Sequence, residues 1–103
     1  MIKMISEKIV NGNKATLRLE GRIDAQTAPQ VQEEILALPD EVKALDLDFA
    51  DVVYISSAGL RMLLAIEKKY SAKGGSLKVI GSRDEIIEIF EVTGFTDFLT
   101  IEY

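Results

Sequence analysis

Two hydrophobic periodicities alternate along this chain, and their alternation restricts the fold more than any other feature. Ala15-Thr16-Leu17-Arg18-Leu19-Glu20 and Leu45-Asp46-Leu47-Asp48-Phe49 carry apolar side chains at every second position. That is the period of a strand with one buried face. Other stretches repeat their apolar residues every three to four positions, the period of an amphipathic helix. Val31, Ile35 and Leu38 mark the first of these. Leu60, Leu63, Leu64, Ile66 and Tyr70 mark the second, and Ile86, Ile87, Ile89 and Phe90 the third. Leu77-Lys78-Val79-Ile80 reads as a further strand. Such a chain buries its apolar faces as an α/β fold, with helices packed on a sheet.

Turn and cap residues place the boundaries. Asn11-Gly12, between Ile9-Val10 and the first alternating run, is a hairpin signal, so the sheet opens with an antiparallel pair. Gly21 ends the second strand. Thr27 stands where it caps the first helix, with Gln30 completing a capping box and Pro29 in the first turn, where no N–H is needed. Pro39-Asp40 closes that helix. The second helix is expected from Ala58 to Lys73, stopped by Gly74-Gly75. The third is expected from Arg83 to Thr93, with Gly94 at its C-terminal cap. Phe98 to Tyr103 supplies a short strand or packs against the sheet. The order is β-β-α-β-α-β-α with an optional terminal β, and one domain over residues 1–103 with a mixed sheet is expected.

Composition removes several kinds of chemistry. There is no cysteine, hence no disulfide, thiol nucleophile or thiolate metal site. There is no histidine, which excludes Ser-His catalysis and histidine-containing zinc sites. Lys and Arg number 12 against 17 Asp and Glu, a formal charge of −5. No basic run with interleaved aromatics suggests a nucleic-acid surface. Asp46, Asp48 and Asp51 are the one acidic group that suggests a cation site, but strand alternation accounts for the first two, and Glu85, Glu88 and Glu91 form a solvated helix face. No metal and no cofactor are expected. The opening MIKMISEKIV lacks the apolar run of a signal peptide, and no window approaches the ~18 apolar residues of a membrane span. A cytoplasmic protein without direct membrane contact is expected.

One junction stands out. Asp48 to Gly59 runs from strand through a short connection into a helix, and sites in open α/β sheets gather where strands end and helices begin. Ser56 and Ser57 sit there, and either one can serve as the helix N-cap. The same first-turn N–H groups would receive a phosphate on Ser57. Ala58 and Gly59 are small and leave room for another protein's backbone to approach. Arg61 lies one turn further on, placed to meet a partner or a phosphate. Nucleophilic catalysis lacks its parts. Ile55 stands where the first glycine of a nucleophile elbow belongs, no histidine is present as base, and Leu60 stands where a Ser-x-x-Lys pair needs lysine. No catalytic residue is assigned.

Two motifs resemble a known family. Gly21-Arg22-Ile23-Asp24 followed by Thr27-Ala28-Pro29 is one. Leu45-Asp46-Leu47 leading through Val53-Tyr54-Ile55-Ser56-Ser57-Ala58-Gly59-Leu60-Arg61 is the other. Together with the element order and the Thr93-Gly94-Phe95 break, they resemble the bacterial anti-sigma factor antagonists, whose fold is the STAS domain. The resemblance implies a non-enzymatic binding switch. A partner that is both anti-sigma factor and serine kinase phosphorylates one serine, only the unphosphorylated protein binds that partner and frees a sigma factor, and a serine phosphatase resets the switch. Aligning Gly59-Leu60 with the family's Gly-Leu puts the phosphoacceptor at Ser57. Asp24 matches the family's acidic residue near the site, which assigns Asp24, Ser56, Ser57, Ala58, Gly59 and Arg61 to the partner surface. Ser56 stands where the family often has aspartate. This motivates an alternative, a constitutive STAS subunit of a transport or signalling complex in which Ser57 only caps the helix.

Overall fold

The computed structural model describes residues 4–103, so the first three positions of the expected 1–103 unit lie outside the described residues. Five strands form one sheet in chain order: β1 (Ile5–Asn11), β2 (Lys14–Ile23), β3 (Ala44–Ile55), β4 (Ser76–Ile80) and β5 (Thr100–Glu102). β1 runs antiparallel to β2, and every later pairing is parallel. Each parallel step returns through a helix: α1 (Ala28–Leu36), α2 (Ser57–Ala72) and α3 (Asp84–Val92). Parallel crossovers are right-handed, and here all step in the same direction, so the three helices stack on one face of the sheet. Leu17, Leu19, Leu45, Leu47, Phe49, Leu77 and Val79 meet Val31, Ile35, Leu63, Ile66, Tyr70, Ile86 and Phe90 in a single core.

The other face of the sheet is polar and carries three cross-strand ion pairs. Lys14 reaches Asp46 at 3.3 Å, Arg18 reaches Asp51 at 2.9 Å and Lys78 reaches Glu102 at 3.2 Å. Asp48 Oδ1 accepts from the Ala50 N–H at 2.9 Å. The three aspartates are therefore engaged separately. Among the described residues, no group of three or more acidic side chains is placed to hold a metal ion.

Several boundaries differ from the sequence expectation, each for a local reason. The hairpin turn falls at Gly12-Asn13, one residue late, because Asn11 pairs with Lys14 and Gly12 supplies the positive φ. Gly21 does not end β2. At φ +98 it lies in an irregular stretch of the β2–β3 ladder, and the strand continues to Ile23. The same register shifts carry β3 well past Phe49 to Ile55. α1 ends at Leu36, and Leu38 is buried from the loop beyond it. In α2 the buried residues include Met62, whereas Leu64 is only half-buried. Ile87 and Ile89 of α3 are likewise half-buried. The terminal segment does form a strand, β5 at the sheet edge, preceded by a 3-10 turn at Phe95–Asp97.

Candidate functional site

The site lies where β2 and β3 end. Ile23 and Ile55 are register partners at the ends of these parallel strands, and both are buried. The Ser56 N–H donates to the Ile23 carbonyl at 2.8 Å, which ties the start of α2 to the end of β2. The next residue of each chain segment, Asp24 or Ser56, therefore leaves the sheet at the same edge.

Ser56, not Ser57, is the N-cap of α2. Its backbone is extended (φ −93°, ψ 176°), its Oγ accepts from the Gly59 N–H at 3.4 Å, and its carbonyl accepts the first helical bond from Leu60 at 3.0 Å. Ser57 is the first residue of the helix. It is exposed, and among the described residues its hydroxyl has no hydrogen-bond partner. The reading in which Ser57 serves only as the cap is thus corrected: one serine side chain is used in capping and the other is left free.

Gly59 is buried beneath these serines, and the space it leaves is used inside the molecule. A Cβ there would lie 2.6 Å from Ile55 Cγ1, 2.8 Å from Ile23 Cγ2 and 3.2 Å from the Ile23 carbonyl oxygen. Its small size lets α2 sit directly on the two strand ends. The room expected there for a partner's backbone is occupied by the chain's own isoleucines. Ala58 is half-buried, and Arg61 is exposed one turn after Ser57.

The β2–α1 loop is organised by Asp24 and Thr27. Asp24 Oδ1 accepts from the Gln26 N–H at 2.9 Å, the Thr27 N–H at 3.1 Å and the Thr27 hydroxyl at 3.3 Å. The Gln26 bond is the largest influence that holds the Asp24 carboxyl below its ordinary range, followed by the Thr27 N–H; the charge of Arg22 adds a smaller effect. Thr27 is only 4% exposed. Its hydroxyl donates to the Arg22 carbonyl at 2.7 Å and accepts from the Asp24 N–H at 2.9 Å. It makes no capping bond to α1, so the expected capping box with Gln30 is absent. The tertiary partners offered by the end of β2 take that oxygen instead.

One contact beside the strand ends escapes a sequence reading, although both of its residues lie in the motifs. The Arg22 guanidinium lies 4.2 Å from the Tyr54 ring centroid, and the two residues are register partners beside the strand ends. Nothing in the sequence signals the pair, because the β2–β3 register shift that aligns them is invisible until the strands are paired.

Comparison with known proteins places the chain. A family model described as "Mlab, STAS domain" matches residues 9–101, and the chain belongs to the STAS-domain family. Its curated relatives include the anti-sigma-B factor antagonist of Bacillus subtilis (strain 168), 31% identical over 91 residues, or 88% of this chain and 84% of that one. The anti-sigma-B factor antagonist of Listeria monocytogenes is 32% identical over 84 residues, covering 80% of this chain and 73% of the other. Within the STAS family, this chain is a member of the anti-sigma factor antagonists. Solved structures share its fold. SpoIIAA in its unphosphorylated form matches with a TM-score of 0.76 at 15% identity, over 96% of this chain and 87% of that one. An anti-sigma factor antagonist from Mycobacterium paratuberculosis matches with a TM-score of 0.79 at 24% identity, over 92% and 81% of the two chains. Among the described residues, no helix is long and apolar enough to cross a membrane.

Proposed function

We propose that the chain is a phosphorylation-controlled binding switch. Unphosphorylated, it sequesters an anti-sigma factor that is also a serine kinase, and so frees a sigma factor. Phosphorylated at Ser57 it releases that partner, and a serine phosphatase resets it. The division of roles at the start of α2 carries this reading: Ser56 caps the helix, and Ser57 presents a free, exposed hydroxyl one residue later. A phosphate there adds about −1.5 to −2 charges beside first-turn N–H groups that tolerate an anion. Modification then changes the surface that a partner meets while leaving the fold in place. The Bacillus protein SpoIIAA, solved in its phosphorylated form, also matches this chain, with a TM-score of 0.73.

Asp24, Ser56, Ala58 and Arg61 surround Ser57 as the docking surface, and Gly59 sets the seat of the helix that carries it. Residues 1–103 act as one STAS domain in the cytoplasm. The chain supplies no catalytic residue or cofactor of its own and makes no contact with nucleic acid or membrane. Incubation with a cognate kinase and ATP, followed by mass-spectrometric mapping, is expected to find phosphate on Ser57, and Ser57→Asp is expected to abolish partner binding. Phosphate solely on Ser56, or binding that Ser57→Asp leaves unchanged, would overturn the proposal.

A further inference from the structure

We infer that the outer edge of β1 is a self-association surface: two copies of this chain pair through their β1 strands, antiparallel about Ile9, and join their five-stranded sheets into one. The pairing does not depend on phosphorylation of Ser57.

β1 is an end strand of the sheet and pairs with β2 alone. A two-residue turn joins the two, so the flanking residues Asn11 and Lys14 exchange both backbone hydrogen bonds. The pattern alternates from there. Asn11, Ile9 and Glu7 turn their backbone groups toward β2, whereas Val10 and Lys8 turn theirs outward. This outer row lacks the usual defences of an edge strand. β1 contains no proline, and its irregularity lies before Glu7, which leaves Glu7 to Asn11 regular. Its lysine is drawn away from the edge: Lys8 lies on the helix face, opposite the buried Leu17, with its amine 3.3 Å from Glu34 of α1. Ile9 and Val10 are 51% and 44% exposed, one on each face of the strand. The other edge of the sheet, β5, offers only three residues.

The sequence of β1 is complementary to itself, which selects a second copy as the occupant. A two-fold axis normal to the sheet keeps every residue on its own face, so only residues of the same face can meet. Centring the axis on Ile9 pairs the whole regular stretch. Glu7 then faces Asn11 of the other copy, Lys8 faces Val10, and Ile9 faces its own equivalent. No like charges meet. Centring on Lys8 or on Glu7 would set two lysines or two glutamates directly opposite, which is destabilising. Centring on Val10 would leave Glu7 and Lys8 beyond the other strand. The backbone agrees with the Ile9 register. The outward residues Lys8 and Val10 become the hydrogen-bonded pairs, and Ile9 falls at the closer, non-hydrogen-bonded position where the two side chains touch. The stem of Lys8 covers Val10 of the other copy. β1 lies along residues 14–19 of β2, short of the strand ends at Ile23 and Ile55, so the dimer presents two open Ser57 sites and is bivalent toward a partner.

The test uses the whole chain. In sedimentation equilibrium the mass is expected to rise from one chain toward two as concentration approaches about 1 mM, the weak end of specific association. Amide hydrogen exchange is expected to slow with concentration at Lys8 and Val10, whose N–H groups the fold leaves free. Ile9→Lys sets like charges opposite at an exposed position, and it is expected to abolish association while the circular dichroism spectrum stays that of the parent. The chain has no cysteine, so single cysteines report the register. With oxidised glutathione, Ile9→Cys is expected to yield a disulfide-linked dimer, because opposed non-hydrogen-bonded residues bring their Cα atoms to about 4.5 Å. Glu7→Cys, which faces Asn11, is expected to stay single. Equal cross-linking of the two cysteine variants would overturn the inference, as would a parent chain that stays single up to about 1 mM. Association that Ile9→Lys leaves unchanged, or slowed exchange confined to Thr100–Glu102, would overturn it too, the latter by placing the contact on the other edge.

Discussion

Substituting Gly59 by alanine tests the link between core packing and the site. The added methyl would meet Ile55 Cγ1 at 2.6 Å and Ile23 Cγ2 at 2.8 Å. Carbon atoms pack best at about 3.5–4.0 Å, so both contacts are about 1 Å too short. Both isoleucines are buried in strands, and their Cγ atoms hang directly on a branched Cβ. Neither can swing aside without leaving its χ1 well. Overpacking of this kind costs about 1–3 kcal/mol. Alanine in place of glycine within a helix returns at most about 1 kcal/mol, and less in the first turn. The clash therefore wins, with a net loss of about 1–2 kcal/mol. For a domain of this size that lowers Tm by about 5–15 °C. Urea and thermal unfolding followed by circular dichroism read the loss directly. Placing Gly59→Ala on an Ile55→Ala background removes the closest contact, so the two effects should fall short of their sum. Gly59→Ala as stable as the parent chain would refute the reasoning. In the destabilised variant, α2 is displaced from the strand ends, so kinase modification of Ser57 is expected to slow as well.

Two further perturbations separate neighbouring residues. Ser56→Ala should cost about 0.5–1 kcal/mol, the low end for a cap because its bond is long at 3.4 Å, whereas Ser57→Ala should stay within about 0.5 kcal/mol. The opposite order in urea denaturation would put the cap on Ser57. Asp24 predicts an acid limb. Its folded carboxyl titrates below the ordinary value, so its stabilisation is complete above the unfolded value of about 3.9 and is lost as pH falls through the lower folded value. The urea midpoint of the parent chain should therefore drop more steeply below about pH 4 than that of Asp24→Asn; parallel curves would refute the assignment.

The sequence by itself determined the fold class, the order of its elements and the neighbourhood of the site. Those follow from local rules: period-two and period-3.6 burial, glycine at turns, and small polar residues at helix starts. Tertiary structure decided what those rules leave open. β3 runs to Ile55 because register shifts against β2 break the alternation after Phe49. Thr27 gives up its cap because the Arg22 carbonyl and Asp24 N–H at the end of β2 offer its hydroxyl better partners. Gly59 is consumed by Ile23 and Ile55, which converge on it only once β2 and β3 pair. Both serines fit the cap by residue type. Ser56 takes it because the hydrogen bond from its N–H to the Ile23 carbonyl holds its backbone extended, and Ser57 is thereby left on the helix with its hydroxyl free.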